Sequence, residues 1–233
     1  MVRREVDIDA RGVMLRGTLE IPDGAAGLVL FAHGSGSSRH SPRNRQVAVA
    51  IQRAGIGTLL FDLLTAHEEA EDRYTGHLRF DVVMLAERLA DATTWAGRNP
   101  DSRELPVGYF GASTGGAAAL IAAALLEDRV SAVVSRGGRP DLAGPALPRV
   151  TAPTLLIVGE RDEHVLELNR QAYAQMRCTR ELATIPRATH LFEEPGALEQ
   201  VSELAVDWFG RYLPAETNPG TRHENIPRHP PAP

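Results

Sequence analysis

The chain has 233 residues, 43% of them hydrophobic, and a formal net charge of −5. That gives room for one large α/β domain with a substantial core, and the acidic balance offers nothing to nucleic acid or to an anionic membrane surface. One cysteine, Cys178, excludes an internal disulfide, and with no apolar leader and no run near the ~20 residues that span a bilayer the expectation is a soluble cytoplasmic protein.

Apolar and polar residues alternate over Arg4–Asp9 and again over Val13–Ile21, with Ala10-Arg11-Gly12 between them. This predicts an antiparallel hairpin with one wet face. Leu28–Ala32 (LVLFA) is wholly apolar, the pattern of a strand buried in a parallel sheet, and His33-Gly34-Ser35-Gly36 ends it. Ser41 and Pro42 predict the start of a helix over Arg43–Ala54, with Ser41 as N-cap. Gly57–Asp62 predicts the next strand. The acidic stretch from Leu63 to Gly76 (LLTAHEEAEDRYTG) is expected to be a solvated loop and no metal site. Leu78–Trp95 carries apolar residues at helical spacing.

Val107–Phe110 predicts a buried strand. Gly111-Ala112-Ser113-Thr114-Gly115-Gly116 follows, and then a breaker-free run of Ala, Leu and Ile to Glu127 that predicts a helix. Strand, sharp turn and helix around G-x-S-x-G form a nucleophile elbow. Such a turn lifts a serine hydroxyl out of the strand end, and its neighbours must be small because backbone passes close by. The bare pattern also arises as a plain strand-to-helix turn in a chain with 21 glycines; the flanking strand and helix favour the elbow. Further strands are predicted at Val130–Ser135, Thr154–Val158 and Glu181–Ile185, with helices at Val165–Cys178 and from Ala197 to Leu213. Residues 214–233 are proline-rich with almost no apolar anchor, and a disordered tail is expected beside a single domain over 1–213. His223 and His229 in that tail are read as solvated.

The fold class is therefore α/β: a mostly parallel sheet of about eight strands with helices on both faces and no lid domain. Ligands in such sheets bind beyond the strands' carboxyl ends. The polar clusters fall at those ends, after Ala32, Phe61, Phe110, Ser135, Val158 and Ile185.

With the Ser113 elbow, the His33-Gly34 turn, Gly159-Glu160-Arg161-Asp162 after the seventh strand and His190 after the eighth, the chain resembles the α/β-hydrolases. It is most similar to the small, lidless dienelactone-hydrolase branch, over roughly Glu5–Leu213. Dienelactone hydrolases proper carry a cysteine nucleophile where this chain has Ser113, which puts the dienelactone substrate in doubt and moves the expectation toward a serine esterase. The resemblance implies Ser113 as nucleophile, His190 as base and Asp162 as the acid that orients it, in the family's order Ser, Asp, His. Glu160 and Glu163 are rivals of Asp162 on the same turn. His33 is read as shaping its turn. Backbone N–H groups of Ser35 and Thr114 are expected to form the oxyanion hole, with Gly36 as the alternative to Ser35. The polar run Ser37–Arg45 reads first as helix capping and solvated charge; the sharper hypothesis is that Arg39 or Arg43 contacts an anionic substrate group, with Arg136 and Arg139 as weaker candidates for that role.

The implied activity is hydrolysis of carboxylic esters of small soluble molecules through an acyl-enzyme, without a cofactor, and without nucleic acid or membrane as partner. Thioester or lactone hydrolysis on the same triad is the alternative, and a receptor that keeps the fold without catalysis is a further one.

Overall fold

A computed structural model describes residues 1–213, and the tail expected over residues 214–233 lies outside the described residues. β1 (Val2–Ala10) and β2 (Val13–Ile21) pair antiparallel around Arg11 and Gly12, which turn the chain at positive φ of 53° and 88°. Leu15 and Leu19 face the core while Arg16 between them is exposed, as the alternation requires. β2 lies antiparallel to β4 (Gly57–Phe61). From β4 onward the sheet is parallel, taking in β3 (Leu28–Ala32), β5 (Val107–Ala112), β6 (Ala132–Arg136), β7 (Thr154–Gly159) and β8 (Arg180–Ile185). The order across it is β1-β2-β4-β3-β5-β6-β7-β8, so the expected eight-stranded, mostly parallel sheet is what forms.

Every residue of β3, β4, β5, β6 and β7 is buried. That is why these strands read as largely apolar runs. Alternate residues serve opposite faces. Leu30 and Tyr109 pack under α3 (Val82–Ala96) and α4 (Thr114–Leu126). Val29, Phe31 and Phe110 pack under α1 (Pro42–Arg53) and α6 (Ala197–Tyr212). α4 is buried from Thr114 to Ala124, between the sheet, α3 and a 3₁₀ segment at Pro140–Arg149. Its alanines are what let three neighbours approach one helix. Among the described residues no helix is long and apolar enough to cross a membrane.

The acidic stretch after β4 is not the loop expected. It is α2 (Ala66–Thr75), opened by a capping box in which Glu68 N–H donates to Thr65 Oγ1 at 3.2 Å and Thr65 N–H donates to Glu68 Oε2 at 2.8 Å. Glu68 also takes two hydrogen bonds from Arg88 of α3, at 2.5 and 2.8 Å. Asp72 is 1% exposed and accepts from the Leu78 and Arg79 N–H groups and from Arg79 Nε. The acids of this segment therefore tie it to the domain.

The Arg88 hydrogen bonds hold the Glu68 carboxyl down at about 2, below its ordinary 4.5. A carboxylate with a depressed folded pKa contributes stability that is complete above the unfolded value and is lost as pH falls toward the folded one. Urea midpoints should therefore drop between about pH 4.5 and pH 2. Glu68→Gln should lower the midpoint at pH 7 and flatten the acid limb; an unchanged acid limb would show that the pair contributes nothing.

Candidate functional site

β5 delivers the chain to Ser113, which takes φ 51° and ψ −121° before α4 begins at Thr114. A side chain at such a position carries strain of about 1–3 kcal/mol. Three hydrogen bonds hold it there. Ser113 N–H donates to Arg136 O at 3.2 Å, and Ser113 O accepts from Gly116 N–H at 3.0 Å and from Arg139 N–H at 3.1 Å. The surrounding glycines are compulsory. A Cβ on Gly115 would stand 2.1 Å from Ala32 O, and one on Gly111 would stand 2.5 Å from Gly115 O.

The turn after β3 runs beside the elbow. His33 is buried, and burial pushes its pKa down. Leu63 N–H donates to its Nε2 at 3.0 Å, so the proton sits on Nδ1 and is given to Gly34 O, also at 3.0 Å. Both ring nitrogens are thus used in shaping the turn, as expected. The turn brings Ser35 to the start of α4, where its N–H donates to Thr114 Oγ1 at 3.0 Å. Thr114, as the first residue of α4, has no carbonyl a turn earlier within the helix for its own N–H. Both expected oxyanion donors therefore lie together beside Ser113.

The other half of the site comes from the loops after β7 and β8, which interlock. A Cβ on Gly159 would meet Ala188 O at 2.4 Å, and Arg161 N–H donates to that same oxygen at 2.9 Å. Glu160, the rival acid, accepts from Arg187 N–H at 2.7 Å and so holds the histidine loop by its backbone. Glu163 opens α5 (Glu163–Gln175). Asp162 is the acid that reaches the ring: its Oδ2 lies 2.6 Å from His190 Nδ1. Asp162 is the more buried of the two, with 14% of its side chain exposed against 38% for His190. An ionised carboxylate at Nδ1 fixes the proton there and leaves Nε2 free to accept one.

Ser113 and His190 line one pocket of about 270 Å³, together with Ser35, Arg43, Asn44 and Arg136. Of the candidate arginines in the run Ser37–Arg45, Arg43 is the one that lines this pocket. Arg39 is not in this pocket. It makes a close ion pair with Asp62 and reaches Glu5 at 3.5 Å, beside a separate depression. Gly36 lines a neighbouring cavity with Asp62, Asp72 and Arg79. Arg139 forks onto Asp141 at 2.8 and 2.7 Å. Arg136, a weaker candidate than Arg39, lines the pocket with Arg43. It is 8% exposed and stacked at 5.7 Å over the Phe192 ring. Burial, and after it the nearby Arg43 charge, bring its pKa down to about 10 from 12.5. Keeping it charged at neutral pH costs on the order of 3 kcal/mol. The signal was present in VVSR: a charge closing a buried parallel strand sits at the ligand-facing end.

The dienelactone hydrolase family model matches residues 19–213. The chain belongs to the dienelactone hydrolase family. A dienelactone hydrolase from Anabaena variabilis is 59% identical in sequence, with a TM-score of 0.90 over 91% of this chain and 98% of that one. Est1E from Butyrivibrio proteoclasticus shares the α/β-hydrolase fold at 18% identity, with a TM-score of 0.74 over 89% of this chain and 98% of that one. Proteins of two Mycobacterium tuberculosis strains, each named "Putative phosphoribosyl transferase", are 58% identical over 90% of this chain. The chain spans 46% of the length of those curated relatives.

Strain at Ser113 makes a direct prediction for this family member. Glycine adopts its φ and ψ freely, so Ser113→Gly should raise the free energy of unfolding by about 1 kcal/mol, net of glycine's entropy cost. Urea denaturation reads it; a fall in stability would mean that the backbone at Ser113 is not strained.

Proposed function

We propose that the chain hydrolyses carboxylic esters of small soluble molecules through an acyl-enzyme on Ser113. The observation that carries this reading is the Asp162–His190 hydrogen bond of 2.6 Å opening onto the same pocket as a serine held at φ 51°. In the proposed cycle His190 Nε2 takes the Ser113 hydroxyl proton as Oγ attacks the ester carbonyl. Asp162 keeps the ring in the accepting tautomer and stabilises the imidazolium. The developing oxyanion receives the N–H groups of Ser35 and Thr114, and Thr114 Oγ1, which Ser35 N–H now meets, gives up its place to the substrate oxygen. The positive end of α4 adds to this. The imidazolium then protonates the leaving alcohol. Water enters by the reverse route, His190 again taking the proton, and the acid is released with Ser113 restored.

Lactone hydrolysis is the second reading, and the name of the Anabaena relative supports it. It differs only in that the leaving alcohol stays tethered to the acyl group. A transferase role, suggested by the name of the mycobacterial relatives, concerns proteins about twice as long as this chain.

Chromogenic esters of rising acyl length test the proposal. Short acyl groups should be hydrolysed best, and Ser113→Ala should lower kcat/KM by on the order of 10³-fold or more. Asp162→Asn, which keeps the shape and loses the charge, should lower kcat at nearly constant KM. No turnover of any ester or lactone, with Ser113 also refusing a fluorophosphonate label, would leave the receptor reading.

A further inference from the structure

We propose that the Ser113 pocket contains a phosphate-holding subsite built from Arg136, Arg43, Ser41 and Asn44, so that the substrate is an ester carrying a phosphate group. This deepens the esterase reading and rests on it for the position of the bond that breaks.

The starting point is a buried cation without a counter-ion. A guanidinium has five N–H donors. Arg136 uses one, from Nη2 to Asn44 Oδ1 at 3.3 Å, and its enclosed Nε has no partner among the described residues. It makes no ion pair with any described carboxylate. Arg39, Arg79, Arg88 and Arg139 are each answered by an acid, Asp62, Asp72, Glu68 and Asp141, while Arg180, which has no ion pair among the described residues, bonds Cys178 O and stacks on Tyr173 away from the pocket. Arg136 instead faces a second cation, Arg43. Arg43 is ion-paired at the pocket rim, Nη1 to Glu193 at 3.2 Å, and its enclosed Nε has no partner among the described residues.

The backbone adds charge of the same sign. Ser41, Arg43 and Asn44 form the N-terminal end of the 12-residue helix α1, whose first turn contains no acid. That end is the positive end of a helix dipole. The residues lining the pocket include no carboxylate. The uncompensated Arg136 charge and the unanswered Nε donors of Arg136 and Arg43 therefore converge beside the nucleophile. A carboxylate would offer two oxygens and one charge. A phosphate monoester offers three oxygens and up to two charges, which matches two guanidiniums and a helix end more fully.

The test uses the full chain carrying Ser113→Ala, so that no turnover interferes. Inorganic phosphate should raise its melting temperature in a saturable way, and acetate at equal ionic strength should not. Adding Arg136→Met should abolish the phosphate shift while leaving the melting temperature equal or higher, because an unpaired buried charge has gone. Arg136→Lys keeps the charge without the planar fork and should retain a smaller shift. In the protein with Ser113 intact, phosphate should inhibit ester hydrolysis competitively, with an inhibition constant at least tenfold weaker in Arg136→Met. The proposal is overturned if phosphate gives no shift, if acetate does as well as phosphate, or if the shift survives Arg136→Met. Loss of the esterase reading is a separate result, seen as absent ester turnover and absent labelling of Ser113, and the phosphate shift in Ser113→Ala is read independently of it.

Discussion

Ser113 occupies a backbone conformation that only glycine adopts freely, and the carboxyl edge of the sheet is fitted around holding it there. β3 and β5 pair so that Ala32 stands opposite Gly111, and α4 must leave the strand end at once through that gap. Gly115 passes against Ala32 O, and Gly116 against Ser135 Oγ, where a Cβ would come within 2.6 Å. The strain of about 1–3 kcal/mol is offset by what the helix buries. Leu120 and Ala117 to Ala119 are fully buried, and one buried leucine alone contributes about 1.5–3 kcal/mol. A helix with a polar stripe could not be driven so deep, and the turn that precedes it would relax.

The acid and the histidine are supported independently of the elbow. Their loops are bound to each other by Arg161 N–H on Ala188 O and by Arg187 N–H on Glu160, and the histidine loop borders the pocket that Ser113 lines. The histidine loop carries its own unusual backbone, with Arg187 at φ 62° and Phe192 at φ 56°. Phe192 is buried there and lies under Arg136. The same turn thus places the ring of His190 and closes one face of the guanidinium. The strand order explains why these parts converge. Between β3 and β5 the chain reverses its direction of travel across the sheet, and loops at such a crevice diverge enough to admit a ligand.

Much of this was legible because its causes are local. Hairpin alternation, the apolar runs of the central strands, Ser41-Pro42 before α1 and the glycines about Ser113 each state their geometry within a few residues. α2 was legible in principle, since Thr65 and Glu68 have the spacing of a capping box. Its acidity hid it. What makes those acids structural is Arg88 and Arg79, and Arg88 belongs to the following helix. The arginines were the hardest to sort. Arg39, Arg43, Arg136 and Arg139 all lie in or beside loops at the carboxyl edge, and the sequence does not say which has an acid across from it. Asp62 neutralises Arg39 from the end of a different strand. The pairing exists only once β3 and β4 lie side by side.

That sorting bears on what the pocket is for. Sequences that fold well satisfy their local rules nearly everywhere, and departures concentrate where function requires them. Two departures of different physical kinds occur here, a strained serine backbone and a buried cation with no counter-ion. Each lowers stability: the one carries backbone strain, and the other holds a charge out of water with no carboxylate beside it. They are joined by a single hydrogen bond, Ser113 N–H to Arg136 O, and they open on one cavity. Independent defects would have no reason to share a cavity of about 270 Å³. The proposed nucleophile and the proposed anchor for the charged end of its substrate would have to.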